Sequence, residues 1–339
     1  MSTLAETAPA LLEVSQLGVE FQTRGGVARV LDDVAFTVRR GETLGLVGES
    51  GCGKSMTALT MMRLIPTPPG RITSGRVALD GRDLLALSEP EMRQYRGNRI
   101  SMIFQEPMTS LNPAYTVGDQ IGEAVRLHQG LSAEAALARA TEMLEAVGIP
   151  AAKSRVHEYP HQFSGGMRQR VMIAMALACK PDVLIADEPT TALDVTVQAQ
   201  IFDLIAELRE RTGTAVLLIT HDMGAIAEMA DRVAVMYAGR IVEEGSAAEV
   251  LQLPMHPYTQ GLIACAPGRR TAGFGDPLLE IPGTVPSLLE RRGGCAFAER
   301  CNQVQPRCRE QLPPETRLDT GRRRVLCWLH VTGGATWPA

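Results

Sequence analysis

The stretch TLGLVGESGCGKS (residues 43–55) restricts what this chain can become more than any other. Its first six residues are an apolar run without polar alternation, the pattern of a strand covered on both faces of a parallel sheet. The last eight, GESGCGKS (48–55), share Gly48 with that run, fit G-x-x-x-x-G-K-[ST] and open into SMTALTMMRLI (55–65), whose composition is helical as far as Pro66. Gly48, Gly51 and Gly53 carry no Cβ, so the turn can wrap tightly and aim successive backbone N–H groups at one point. The helix start adds a partial positive charge there. Such a point suits a phosphate. Lys54 is expected to reach β- and γ-phosphates, and the Ser55 hydroxyl to ligate Mg²⁺. Glu49, Ser50, Cys52 and Met56 complete the expected nucleotide-binding stretch, with Cys52 read as a bystander in a variable slot.

A second acidic signal lies at VLIADEP (183–189), an apolar strand ending in two adjacent carboxylates. Carboxylates there are costly unless they meet a cation or water at the sheet edge. Asp187 is expected to hold the Mg²⁺ shell, and Glu188 to act as the general base that polarises the attacking water. Around these two motifs strands alternate with helices, which implies an α/β fold with a mostly parallel sheet. LLEVSQLGVEF and RVLDDVAFTV read as strands, as do RVALD (76–80), ISMIF (100–104) and AVLLIT (215–220), with a helix over about 195–211 ending at Gly213. From about 115 to 180 the pattern is helical, with Ile121, Val125, Leu137, Met143, Leu144 and Val147 at helical spacing, so a helical subdomain over about 106–180 is expected. After about residue 265 the chain turns rich in Pro, Gly and Arg. The expected organisation is a nucleotide-binding domain over 1–265 and an extension over 266–339, without internal repeats.

Composition excludes other classes. Lys and Arg number 34 against 38 Asp and Glu, a net charge of −4, so no global basic field argues for nucleic acid. No apolar run approaches the ~18 residues of a membrane span. The N-terminus has neither a basic region nor an apolar core of a secretory signal, and a soluble, cytosolic chain is expected. Four of the seven cysteines, Cys295, Cys301, Cys308 and Cys327, crowd into 33 residues. In a cytosolic chain that suggests metal more than disulfides. Their spacing, C-x5-C-x6-C-x18-C, is wider than the pairs of structural zinc sites and suits an iron–sulfur cluster; zinc and free thiols stay open. Arg291, Arg292, Arg300, Arg307, Arg309, Arg322, Arg323 and Arg324 crowd the same segment, and are expected either to offset an anionic cluster and lower the thiol pKa values or to form a solvated basic face.

Further motifs carry a resemblance. FSGGMRQR (163–170) is similar to the signature of ATP-binding cassette (ABC) ATPases. Gln105, after ISMIF, stands where that family has its Q-loop; TALD (191–194) resembles the D-loop, and LLITHD (217–222) carries the switch histidine at His221. Met167 departs from the family's usual glutamine. The resemblance implies a P-loop NTPase core with an antiparallel β subdomain and a helical subdomain. It also implies two cassettes head to tail, each ATP lying between one phosphate loop and the opposite signature. Ser164, Gly165, Gly166 and Asp194 are then nucleotide contacts, Gln105 a Mg²⁺ ligand and hinge, His221 a γ-phosphate partner, and Phe21 an adenine-stacking aromatic, with core packing as the competing reading of Phe21.

FQEPMTSLNP (104–113), HEYPHQFSGGMRQRVMIAMAL (157–177), HPYTQGL (256–262) and the four-cysteine tail look like the dipeptide/oligopeptide (and nickel) importer branch. The resemblance implies two membrane permease subunits, a second, paralogous ATPase, an extracytoplasmic substrate-binding protein, and a peripheral location on the cytoplasmic face of the inner membrane. It also implies a [4Fe–4S] cluster on the tail cysteines. Nickel or a glutathione-like peptide remain alternative cargoes. A soluble ABC ATPase acting on nucleic acid is disfavoured by the net acidity and the single cassette, and an exporter by the peptide-importer motifs.

Overall fold

In a computed structural model of the protein, the residues described are 9–105, 110–190, 193–266, 280–289, 293–318 and 323–331. Two long strands, β1 (Ala10–Thr23) and β2 (Gly26–Arg39), are followed by β3 (Thr43–Val47), and all five β3 residues are buried as its unbroken apolar run requires. Helix α1 (Lys54–Met61), β4 (Gly70–Leu79), β5 (Arg82–Asp83), α2 (Glu89–Tyr95) and β6 (Ile100–Ile103) come next. The middle of the chain is helical: α3 (Val117–Gln129), α4 (Ala133–Ala146) and α5 (Gly165–Leu177). Alternation returns with β7 (Val183–Asp187), α6 (Val195–Thr212), β8 (Ala215–Thr220) and α7 (Met223–Met229). A hairpin of β9 (Arg232–Tyr237) and β10 (Arg240–Ser246) leads to α8 (Ala247–Gln252) and α9 (Pro257–Ala264). Two short strands, β11 (Thr316–Leu318) and β12 (Arg323–Val325), lie beyond.

Side-chain caps set most helix starts. The Thr116 hydroxyl accepts the Asp119 N–H at 3.1 Å to start α3, which Gly130 ends in the left-handed region. Helix α6 stops at Gly213, as its sequence predicts. Helix α1 does not reach Ile65. It ends at Met61 because Arg63 turns left-handed (φ 52°), the Arg63 N–H donates to Thr60 O at 2.9 Å and the Leu64 N–H to Leu59 O at 2.7 Å. That pair of reversed bonds satisfies the last carbonyls of the helix and stops it.

The chain divides into two compact units. One takes the stretch ending at Glu13, then Thr37–Thr43 and Ala78–Ile219. In it β6, β7 and β8 are parallel, with Ile100 opposite Val183 and Val183 opposite Ala215. Helices α3, α4 and α5 pack on one another there through buried Ile121, Val125, Met143 and Leu144. The chain is helical there as the pattern predicts, and of the six marker residues five are buried and Leu137 is half-buried.

The other unit takes Val14–Phe36, Leu44–Val77 and the chain from Thr220 onward. Here β2, β1 and β4 lie side by side, and a second sheet has the order β11-β12-β10-β9-β3. Strand β3 is parallel to β9, pairing Leu44 with Arg232 and Val47 with Val235. Strand β12 runs antiparallel to β10, with Glu243 opposite Val325, so residues from the tail complete this sheet. Glu243, fully buried, is held at 2.7 Å by Arg323, itself only 4% exposed, and accepts the N–H groups of Met255 and His256 at 2.8 and 2.9 Å. A buried carboxylate is tolerable only with such partners. Arg323→Met is expected to destabilise the protein by about 3–5 kcal/mol, read as a lower urea midpoint. Arg309→Ala, which breaks an exposed 3.6 Å pair with Glu299, is expected to change stability by less than about 0.5 kcal/mol.

Candidate functional site

The phosphate loop starts where β3 ends. A Cβ on Gly48 would lie 2.2 Å from Met236 O and 2.8 Å from Cys52 Sγ, so the loop's first turn closes only around a bare α-carbon. Gly53 (φ 110°) is the N-cap of α1 and brings no capping side chain, which leaves first-turn N–H groups for an anion. Lys54 is 5% exposed, and its Nζ donates to Gly48 O at 2.7 Å and Glu49 O at 3.2 Å. The ammonium is thus held over the loop by the loop's own carbonyls. Ser50 and Gly51 are exposed, and Ser55 and Met56 half-buried. Burial pushes the Cys52 thiol up, above all by desolvation, so it stays neutral, in keeping with a bystander.

Glu49 takes an unexpected direction. Its carboxylate accepts two parallel bonds from Arg300, at 2.7 and 2.9 Å, and its N–H donates to Tyr258 Oη at 2.8 Å. Pro257 opens α9, and the His256 Nδ1 accepts the Tyr258 N–H at 3.0 Å. That bond needs an unprotonated ring nitrogen. Burial, with His330 nearby, pushes the His256 pKa down to about 3, so the imidazole is neutral at physiological pH. The half-buried Phe21 ring lies against β4, where a Cβ on Gly70 would come within 2.8 Å of its Cζ.

In the other unit β7 delivers Asp187, 3% exposed, and then Glu188. Glu188 has φ 46°, a left-handed conformation that a residue with a side chain rarely adopts. Its N–H donates to Ile219 O at 2.9 Å, and its carboxylate accepts the Gln105 Nε2 at 2.9 Å. The structure thus joins the expected base directly to the expected Q-loop residue. Ser164 caps α5 by accepting the Met167 N–H at 3.3 Å. A Cβ on Gly165 would meet nothing, whereas one on Gly166 would lie 3.1 Å from Val197. Ser164 and Gly165 are exposed, so an approaching ligand can reach them. Asp194 caps α6, accepting the Val197 N–H at 3.0 Å. Thr191, Ala192 and residues 106–109 of the Q-loop stretch lie outside the described residues. His221 is exposed just past β8.

The tail cysteines line one small cavity together, with His256, Phe297 and Trp328. Among the described residues no group of three His, Cys, Asp or Glu could hold a metal ion as placed. The expected effect of the arginines on the thiols is overturned. Burial, the largest influence, pushes Cys295 up to about 11, Cys327 to about 12 and Cys301 also up. The arginines are engaged elsewhere: Arg300 on Glu49, Arg323 on Glu243, Arg324 on Glu244 at 2.8 Å, Arg309 on Glu299, and Arg307 over the Trp328 ring. Arg291, Arg292 and Arg322 lie outside the described residues. Among the described residues no helix is long and apolar enough to cross a membrane.

The chain is similar to known proteins along most of its length. A family model described as ABC transporter matches residues 31–191, and one described as oligopeptide/dipeptide transporter, C-terminal region, matches 242–308. The probable peptide ABC transporter ATP-binding protein y4tR of Sinorhizobium fredii is 54% identical over 95% of both chains. The chain belongs to the peptide-transporter branch of the ABC ATP-binding proteins. The dipeptide transport ATP-binding protein DppD of Bacillus subtilis is 50% identical over 94% of both. A dimeric, post-hydrolysis structure of the ATP-binding cassette MJ0796 with ADP and Pi superposes with TM-score 0.63, at 27% identity over 70% of this chain and 98% of that one. As an ABC ATP-binding protein the chain has the mixed α/β fold expected of it and is an ATPase. The C-terminal match spans Glu243 and Tyr258, to which the sequence pattern gives no contact, and Arg300, whose expected partner was the cysteine cluster; the stretch HPYTQGL was the available signal for Tyr258. Gly48→Ala is expected to abolish nucleotide binding in equilibrium titrations, because the added methyl must displace the β9 backbone.

Proposed function

We propose that this chain is the ATP-hydrolysing subunit of an importer for di- or oligopeptides. One observation carries the reading: a phosphate loop with a buried lysine and an uncapped helix start, in a chain whose tail matches the oligopeptide/dipeptide transporter C-terminal region. Relatives named for peptide and dipeptide transport support it.

In this reading Gly48, Ser50, Gly51, Cys52, Gly53, Lys54, Ser55 and Met56 bind the phosphates, chiefly through backbone N–H groups, and Phe21 stacks on adenine. Ser55, Asp187 and Gln105 hold Mg²⁺. Glu188 takes a proton from the attacking water, and His221 bonds the γ-phosphate. Glu188 already bonds the Gln105 amide nitrogen, so a shift of Gln105 toward Mg²⁺ is felt by the base. Gln105 thereby couples γ-phosphate occupancy to the chain leading into the helical subdomain (about 106–180). Ser164, Gly165, Gly166 and Asp194 serve the nucleotide of a facing cassette; the exposed Gly165 and the dimeric state of the MJ0796 cassette support this. The partners are two permease subunits, a paralogous ATPase and an extracytoplasmic binding protein, with this chain peripheral on the cytoplasmic face of the inner membrane.

The tail holds a [4Fe–4S] cluster on Cys295, Cys301, Cys308 and Cys327. Four thiols lining one cavity support this. When bound, the cluster would keep its four thiols deprotonated. Anaerobically purified full-length protein is expected to be brown and to contain iron and labile sulfide; a colourless, zinc-loaded sample would overturn the assignment.

ATP turnover tests the main reading. Lys54→Ala is expected to lower Mg²⁺-dependent phosphate release by about 10²-fold or more. Glu188→Gln is expected to bind ATP normally while hydrolysis falls on the order of 10²–10⁴-fold. Normal turnover in either variant contradicts the role given to that residue.

A further inference from the structure

We infer that Arg300 is a positioning residue of the phosphate loop, reaching from the cysteine-bearing tail to hold Glu49 and, through it, the turn that receives nucleotide. The inference rests on the ATPase reading above.

The Arg300 side chain is 5% exposed, and all its donors are in use. Nε donates to Pro282 O at 2.9 Å. Nη1 donates to Glu49 at 2.7 Å and to Tyr237 Oη at 3.4 Å, and Nη2 to Glu49 at 2.9 Å and Ile281 O at 3.1 Å. The guanidinium also lies over the Tyr237 and Phe297 rings, 5.8 and 5.9 Å from their centroids. A group so committed cannot swing toward a phosphate, so Arg300 acts only through Glu49. The planar fork makes this a bidentate grip that an ammonium cannot copy.

Glu49 is gripped a second time from the same direction, because its N–H donates to the fully buried Tyr258 hydroxyl. Its carbonyl in turn accepts from Lys54 Nζ. Carboxylate, N–H and carbonyl of one residue, directly after Gly48, are therefore all fixed, two of them by residues beyond 256. A loop ordered in advance loses less freedom when ATP arrives and binds it more tightly. Arg300 is also the neighbour of Cys301, so the segment that lines the thiol cavity carries the grip. The tail is thereby part of the nucleotide site.

The test uses full-length protein in steady-state ATP hydrolysis, with KM and kcat separated and melting temperature recorded alongside. Arg300→Met and Glu49→Gln are each expected to raise the KM for ATP about tenfold, with a smaller fall in kcat. Arg300→Lys is expected to recover part of the loss. The double variant Arg300→Met/Glu49→Gln is expected to have the KM of either single variant, since both remove one grip. A KM within about twofold of wild type in both single variants overturns the inference, even if they melt earlier, because the contact is then only structural. Multiplying effects in the double variant overturn it as well. If Arg300→Met does not fold, the half-exposed Glu49→Gln decides alone. Wild-type turnover that Lys54→Ala abolishes shows that the ATPase reading stands whatever becomes of Arg300.

Discussion

Binding a polyphosphate through uncharged backbone N–H groups demands that several of them point at one spot before the ligand arrives. Here that demand is met at the end of β3. The strand is buried along its whole length, the β9 carbonyl of Met236 presses against the first turn, and Gly48 is the residue that fits between. The uncapped start of α1 supplies more donors, and Lys54 adds a full charge that the loop's own carbonyls keep in place. Preorganisation of this kind is what makes fixed dipoles effective toward developing charge.

The acidic side of the chemistry is arranged differently. Asp187 belongs to a buried strand, while Glu188 steps out of the strand pattern through a left-handed backbone and meets Gln105. Unusual backbone held by its surroundings is often found where a side chain must be aimed rather than packed. The Glu188 N–H bond to Ile219 O fixes that step, so the carboxylate's direction is set by the sheet and not by its own rotamers alone.

How much of this could be read from the amino acids depends on the range of the interaction. The phosphate loop, the carboxylate pair and the signature are local: each is a short string whose chemistry follows from its spacing. The end of α6 was legible for the same reason, since Gly213 acts on adjacent carbonyls. The early end of α1 was not, because nothing in Arg63 announces a left-handed turn. The tail arginines show the limit most clearly. Their crowding beside four cysteines suggested one electrostatic partner, yet in the fold Arg309, Arg323 and Arg300 go to separate carboxylates, Glu299, Glu243 and Glu49, the last of them 251 residues away. Long-range pairing leaves no periodicity to read. Glu49 shows the same effect: its place in the loop pointed to nucleotide, and nothing local announced that its carboxylate also meets Arg300, far along the chain.

The buried Glu243 has a bearing on how the polypeptide can be cut. Its charge is satisfied from both directions by groups that arrive late in the sequence, the N–H pair of Met255–His256 and the guanidinium of Arg323. Stopping translation shortly after residue 310 would strand an anion inside the sheet with half its complement. The segment that carries Arg323 is therefore no detachable appendage, and a cassette cut before it would need an uncharged residue at position 243 to avoid a stranded anion.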